Sequence, residues 1–383
     1  MKKISFILAI GMVLTLLSAT WLFAAEDETK KEVPEGNALT LPKWVQNFTF
    51  KGDLRLRYQT DKKEDSKRRH RGRIRARLGA DVKVTDDINV AAGLATGGTD
   101  PRSTNETLDN TFETPDIRLD YAYAQYKPLS WATLKGGKIK GMPFWKPSDL
   151  LWDSDINPEG GGAQLKYDLR PNVGVFFNTG FFVLDESSAD TSDPFMYVVQ
   201  PGFDGKFRDF IIVKAAVTYY GFSHVQGSTL DHASGTNTLL AGGLQYDYDS
   251  IGVSGELGFK KPFKVDFLPY IAALGEYINN PDPSDGNDGF LVGLKVGSEK
   301  VAKKGQWQAK YLYRELERDA FLDTFPDSDF YGGQTNAKGH EVIFEYGLFK
   351  HVILGLDYYR TEPIEGVTKK SEDLFQFDVV FKF

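Results

Sequence analysis

The chain contains no cysteine. That absence excludes disulfide frameworks, thiolate metal sites, cysteine nucleophiles and lipid attachment at a cysteine. Long hydrophobic runs are almost as scarce. A helical membrane span needs about 20 mostly apolar residues, and only one stretch in 383 residues approaches that. A polytopic helical membrane protein is therefore excluded. Histidine is rare too: His70, His224, His232, His340 and His351 are the five. All lie in loops or at strand ends of the pattern described below, and none has metal-ligand spacing or a recognisable pairing with serine. There is no Gly-rich phosphate loop. The sequence thus assigns no catalytic residue, no cofactor and no metal set. The net charge of −7, with both signs abundant, implies no nucleic-acid-binding surface.

The one apolar stretch is N-terminal. Lys2 and Lys3 precede it, no charge occurs from Ile4 to Ala25, and the polar run Glu26, Asp27, Glu28, Thr29, Lys30, Lys31 follows. Residues 1–25 read as a secretory signal peptide cut after the small residues Ala24 and Ala25. Leu22 and Phe23 are bulky for the position three before the cut, and an uncleaved single-span anchor is the alternative, given the length of the apolar stretch. Either way the chain is bound for the cell envelope. Residues 26–47 read as a short periplasmic segment and 48–383 as the folded unit.

What the rest of the chain has is alternation. Phe48, Phe50, Leu54, Leu56 and Tyr58 fall on one face of an extended segment, and Lys51, Asp53, Arg55, Arg57 and Gln59 on the other. Ile74, Ala76, Leu78, Ala80 and Val82 oppose Arg73, Arg75, Arg77, Asp81 and Lys83 in the next. Period-2 alternation puts each set on its own side of a sheet. Similar segments recur around Val213, Tyr311 and Phe344, separated alternately by short turns and long polar loops. A soluble sandwich also alternates, yet an exported chain with this pattern fits a transmembrane barrel, which looks soluble by average hydropathy because only alternate residues meet lipid. The mean hydropathy is −0.36. Aromatics near segment ends (Tyr58, Tyr126, Trp131, Tyr219, Tyr220, Tyr358, Tyr359) would form interfacial girdles. The expected fold is all-β, a closed antiparallel transmembrane β-barrel, since an open sheet edge would leave backbone groups unsatisfied in lipid.

Strand-like segments begin near Phe48, Gly72, Ile88, Asp116, Trp131, Gly160, Val173, Pro194, Phe210, Thr238, Ile251, Leu268, Gly289, Trp307, Gly339, Val352 and Leu374. Single-chain bacterial barrels have even strand numbers, and the two half-chain registers collide only at residues 238–260. Reading those residues as one long strand, or as a strand plus an outer-loop hairpin, gives about sixteen strands, with eighteen as the alternative. The final segment alternates Phe375, Phe377, Val379, Phe381 and the terminal Phe383 with Gln376, Asp378, Val380 and Lys382. Such an ending resembles the assembly signal of outer-membrane proteins, with Phe381 and Phe383 addressed to the barrel assembly machinery.

At the residue level Gly52-Asp53-Leu54-Arg55-Leu56-Arg57-Tyr58 resembles the first strand of a bacterial putative-porin family. So do Arg73-Ile74-Arg75-Ala76-Arg77-Leu78-Gly79-Ala80 and Trp152-Asp153-Ser154-Asp155-Ile156-Asn157-Pro158-Glu159-Gly160. The resemblance spans about residues 44–383. It implies an outer-membrane β-barrel with a channel function for small polar solutes or ions, in contact with outer-membrane lipid, and a homotrimer by analogy with sixteen-stranded diffusion porins. A structural or adhesive barrel and a barrel enzyme are the competing readings.

Two clusters are candidates for the function. Lys51, Arg55, Arg57, Arg73, Arg75 and Arg77 would stand on one patch of inner wall. Such a column orients anions or polar solutes along a wet lumen, or is merely neutralised by Asp53, Asp81, Asp120 or loop acids. The third outer loop, residues 141–159, carries Asp149, Asp153, Asp155 and Glu159 with Trp145 and Trp152. By analogy with general porins it would fold inward and set acids against the basic column as a constriction, or else pack on the rim. A weaker cluster, Asp282, Asp285, Asn287 and Asp288, could bind Ca²⁺ or serve as a solvated acidic turn. Glu256, Glu276, Glu341, Glu345 and Asp357 are also expected to face inward.

Overall fold

A computed structural model describes residues 47–383 except 187, 189–191 and 367–368. The apolar N-terminal stretch and residues 26–46 lie outside the described residues. Sixteen strands form the wall: β1 Phe48–Lys63, β2 Arg69–Lys83, β3 Ile88–Thr96, β4 Ile117–Leu129, β5 Ala132–Lys138, β6 Glu159–Arg170, β7 Val173–Val183 and β8 Phe195–Phe207. They continue as β9 Ile211–Ser223, β10 Ser250–Lys260, β11 Tyr270–Asn279, β12 Asp288–Gly297, β13 Trp307–Leu316, β14 Ala337–Phe349, β15 Val352–Pro363 and β16 Glu372–Lys382. Each pairs antiparallel with its sequence neighbours, and β1 pairs with β16 from Asp53↔Lys382 to Lys63↔Glu372. The sheet is closed, so every wall strand has both neighbours, as lipid requires.

The expected odd segment at Thr238 resolves as the strand-plus-hairpin alternative. Leu239–Leu240 pairs with Gly243–Leu244 as a two-strand hairpin in the loop before β10. One further short strand, Glu106–Thr107, belongs to the loop after β3. It pairs with Arg73 and Ile74, where β2 runs on past the end of β3, and so completes the wall at that point.

Alternation gives the barrel its two faces. Leu54, Leu78, Val217, Ile251, Val253, Val292, Leu294, Tyr311, Val342 and Phe344 are all exposed on the outside. A soluble protein would hide such a belt, and here it meets lipid. Tyr58, Tyr126, Trp131, Tyr219 and Tyr358 share that outer face, but Tyr220 and Tyr359 are buried inside the barrel. The girdle expectation fails for those two because in a strand the neighbour of an outward residue must point inward.

The seam closes on the C-terminal residue. The Gly52 and Phe383 backbones exchange hydrogen bonds of 2.8 and 3.0 Å. A Cβ at Gly52 would stand 2.4 Å from the Phe383 ring, so only glycine lets that ring lie across the first strand. Phe381, opposite Leu54, extends the same outer face.

Candidate functional site

The lumen is partly filled by three outer loops: residues 139–158, 224–249 and 317–336. Their apolar side chains meet the inward residues of β7–β13. Trp152 is at the centre, with ring centroids 4.5 Å from Phe325, 5.3 Å from Phe321, 5.7 Å from Phe144 and 5.9 Å from Tyr220. Ile139, Leu150, Leu322, Met196, Val198, Ile278 and Leu291 complete this dry core. Polar clamps hold the loops in register. Asp319 accepts from the Tyr248 hydroxyl at 2.7 Å and the Thr238 amide at 2.8 Å, and Asp153 accepts from the Ser328 amide at 2.9 Å. Gln200 of β8 bonds both the amide and the carbonyl of Trp145, each at 2.8 Å. Buried polar groups in such a core are stable only when satisfied, and these are.

Beside the core lies a polar cavity of about 330 Å³. One side is the basic wall. The β1–β2 register sets Arg55 directly opposite Arg75, Arg57 opposite Arg73 and Asp53 opposite Arg77. Like charges about 5 Å apart repel by about 3 kcal/mol at an effective dielectric near 20, so counter-charges must lie close. They do. Arg57 grips Asp378 of β16 through two bonds of 2.7 and 2.8 Å and reaches Asp329 at 3.2 Å. Asp53 takes Arg75 at 2.8 Å and Arg77 at 2.8 Å. Arg77 also contacts Asp155 of the third outer loop at 3.3 Å, and Arg55 bonds Asn105 at 2.5 Å.

The loop side is acidic. Asp149, Asp153 and Asp155 line the cavity together with Asp327 and Asp329. Burial, followed by Asp327 and Asp155, pushes the Asp153 carboxyl well above the usual carboxylate range. Burial likewise raises Asp327, to about 6, against the pull of Arg314.

The sequence-selected residues divide as follows. Arg55, Arg57, Arg75, Arg77, Asp149, Asp153 and Asp155 meet at the cavity. Lys51 is inward but exposed near the periplasmic end, paired with Asp81 at 2.8 Å. Arg73 is inward but bonds Gln59 at 3.1 Å and does not line the cavity. Glu159 needs correction. It begins β6 and pairs with Lys138 at 2.7 Å, largely exposed. Counting by two from the outward Leu165, Tyr167 and Leu169 puts Glu159 on the outer face, so it takes no part in the cavity. Asp120 bonds Asn157 rather than the basic column. The cluster at 282–288 does not converge: Asp282 accepts from the Asp247 amide, Asp288 from Tyr277 and Asn279, and Asn287 donates to carbonyls. Among the described residues no three metal-type side chains group as ligands.

Glu341, Glu345 and Asp357 do line the cavity as expected. Glu256 is held by Tyr270 and Lys295, and Glu276 by Ser148 and Ser254. Sequence reasoning missed Asp327, Asp329, Arg102 and Arg314. The available signal was the density of Phe, Tyr and Asp in residues 319–331, unusual for a solvated outer loop. Arg102, in the loop between β3 and β4, is buried and ties that loop to residues 224–249 and 317–336, donating to the carbonyls of His232, Asp323 and Gly333.

A closed sixteen-stranded antiparallel barrel with a lipid-facing belt and inward loops beside a charged cavity defines a porin-type channel of the bacterial outer membrane. Residues 62–251 and 244–383 match the profile of the family described as putative porin, and the chain belongs to that family. Solved structures share the architecture. OprB of Pseudomonas putida, determined at high pH, aligns with a TM-score of 0.57 at 10% identity, over 88% of this chain and 95% of that one. Salmonella typhi OmpF in complex with daunomycin gives 0.51 at 11% identity, over 88% and 97%. A loop-L8 deletion form of OmpT, an outer membrane protein of Vibrio cholerae, gives 0.50 at 14%, over 88% and 100%. At these identities the likeness is one of fold. No curated protein matches the chain.

Proposed function

We propose that this barrel is a passive diffusion channel for small polar solutes or ions, with its constriction at the charged cavity. In this reading Arg55, Arg57, Arg75 and Arg77 form one wall of the constriction, and Asp149, Asp153 and Asp155 of the third outer loop form the other. Opposed rows of fixed charge create a field across the path that orients polar solutes and disfavours apolar ones. The observation that carries the reading is the cavity itself, bounded by both charge signs beside the loop core. Lys51 and Arg73 act as flanking charges. Phe381 and Phe383 serve as the signal read by the barrel assembly machinery, after export directed by residues 1–25.

The test is single-channel recording in planar bilayers under a salt gradient. Discrete conductance steps, altered when Arg77 or Asp155 is neutralised, support the constriction. A folded barrel that stays silent overturns the reading. The dry core around Trp152 favours a second one, a structural or adhesive barrel with an occluded lumen, which silence combined with binding to a partner surface would support.

A further inference from the structure

Part of the cavity wall lies away from the arginine column. Strands β14 and β15 set Glu341 directly opposite Tyr359. Both line the cavity, and they are 7% and 6% exposed. Neither side chain makes a hydrogen bond or ion pair with any described residue, although a buried carboxylate is costly to leave unpaired. Asp357, two residues before Tyr359 and so on the same inward face, is half-buried and likewise makes no hydrogen bond or ion pair with a described residue. The two nearest guanidiniums are engaged elsewhere, while Lys310 of β13 and Lys382 of β16 line the same cavity without pairing with Glu341. Arg314 donates to Asp327 at 2.7 Å and to the Asp149 carbonyl at 3.0 Å, with its guanidinium 3.6 Å over the Phe330 ring. Arg57 is taken by Asp378 and Asp329.

The lining as a whole holds seven Arg and Lys side chains against nine Asp and Glu. The excess is anionic, although the arginine column alone reads as basic. Among the described residues no three carboxylates converge as metal ligands; Glu341 and Asp357 stand as separate acceptors on β14 and β15. Tyr359, which packs edge-to-face with Phe330 at 6.4 Å between centroids, gives the cavity wall an aromatic surface suited to a cation.

We propose that Glu341, with Asp357 and Tyr359 beside it, forms a lumenal subsite for the amine or guanidinium head of a small organic cation. The proposal rests on the channel reading above and gives it a substrate class. The solute's cationic head pairs with Glu341, Tyr359 supplies a hydroxyl acceptor and a ring face, and the Asp149 and Asp327 side of the cavity keeps the approach anionic.

The probe is n-butylammonium, with butyrate as the control of opposite charge. In calorimetric titration of the refolded barrel in detergent, wild type should bind n-butylammonium and not butyrate. Glu341→Gln should weaken that binding at least tenfold, with its fold checked by the heat-dependent shift in gel mobility. In planar bilayers, n-butylammonium should reduce the KCl current of wild type, and Glu341→Gln should abolish the block while KCl still flows. Should Glu341→Gln fail to fold, Tyr359→Phe carries the same titration, with a severalfold loss expected. A barrel that conducts KCl but neither binds nor is blocked by n-butylammonium overturns the subsite and leaves the channel standing. Equal binding by wild type and the variants does the same. A barrel silent in KCl that still binds n-butylammonium through Glu341 keeps the subsite and removes the channel.

Discussion

Asp53 holds two arginines at once, and replacing it by asparagine tests whether the basic wall is structural. Its Oδ1 accepts from Arg75 at 2.8 and 3.0 Å, and its Oδ2 from Arg77 at 2.8 Å. Asn keeps the shape but removes the charge, leaving Arg55, Arg75 and Arg77 facing one another with Asp155 as the nearest relief. Removing one partner of a fully buried ion pair costs about 3–5 kcal/mol, whereas an exposed pair contributes about 0–1 kcal/mol. The side chains here lie between those limits, at 9% exposure for Arg75, 13% for Asp53 and 27% for Arg77. Asp53→Asn should therefore cost about 2–3 kcal/mol. With a urea dependence near 2 kcal/mol per molar, the unfolding midpoint in lipid vesicles should fall by roughly 1 M. Combining it with Arg77→Gln should cost less than the sum of the two changes, because the second removes the charge the first left unpaired. A variant within about 0.5 kcal/mol of wild type, or strict additivity, would refute the claim that the wall is held by its carboxylates.

Deleting Phe383 should lower outer-membrane levels of heat-modifiable barrel far more than Phe112→Ser, because Phe383 seals the seam at Gly52 and Phe112 is 99% exposed; equal levels would count against an assembly role. Trp152→Ala should cost about 3–5 kcal/mol and raise single-channel conductance as the inner core loosens, and an unchanged conductance would mean that Trp152 does not hold the loops in place. Asp327 is pushed up to about 6 from its ordinary 3.8, so the folded state holds its proton more tightly than the unfolded chain does. Its contribution to stability is then complete below about pH 4 and is lost as pH rises through about 6. Asp327→Asn should flatten that part of the urea-midpoint profile between pH 4 and 7, and a profile identical to wild type would contradict the assignment. Selectivity at the cavity should be strongest in dilute salt, since the Debye length falls from about 30 Å at 0.01 M to about 3 Å at 1 M; a reversal potential independent of mean salt concentration at a fixed gradient would exclude fixed charge as its source.

The wall was legible because lipid on one side and polar surroundings on the other impose strict alternation. Arg55, Arg57, Arg75 and Arg77 could be assigned inward from the sequence, and they are. Their partners were only half visible. Asp53 and Asp81 sit on the same strands and could be weighed as counter-charges, but Asp378 meets Arg57 only because β16 closes against β1, a contact separated by nearly the whole chain. Asp149, Asp153 and Asp155 could be placed in an inward loop by analogy, whereas Glu159 stands one residue past that loop, where the strand has already begun. One residue of boundary decides which side of the barrel a side chain occupies.

The dry core could have been read from the same rule by attending to where alternation fails. In a water-filled barrel the inward positions should be polar, as they are on β1 and β2. On β8, β9 and β11–β13 several are not: Met196, Val198, Tyr220, Leu274, Ile278, Leu291 and Leu312 all point inward and are buried, beside inward polar groups such as Gln200, Thr218, Ser254 and Glu276. Those side chains would expose apolar surface to lumenal water unless something covered them, at about 25 cal/mol for each Å² left wet. The loops supply the cover, and their own sequences fit it, with Trp152, Phe321, Leu322 and Phe325 set among the aspartates that clamp them. Large apolar residues at inward positions therefore mark where loops pack against the wall. Here the loops pack on β7–β13, and the charged cavity lies against β13–β16, β1 and β2, where the arginines and Glu341 stand.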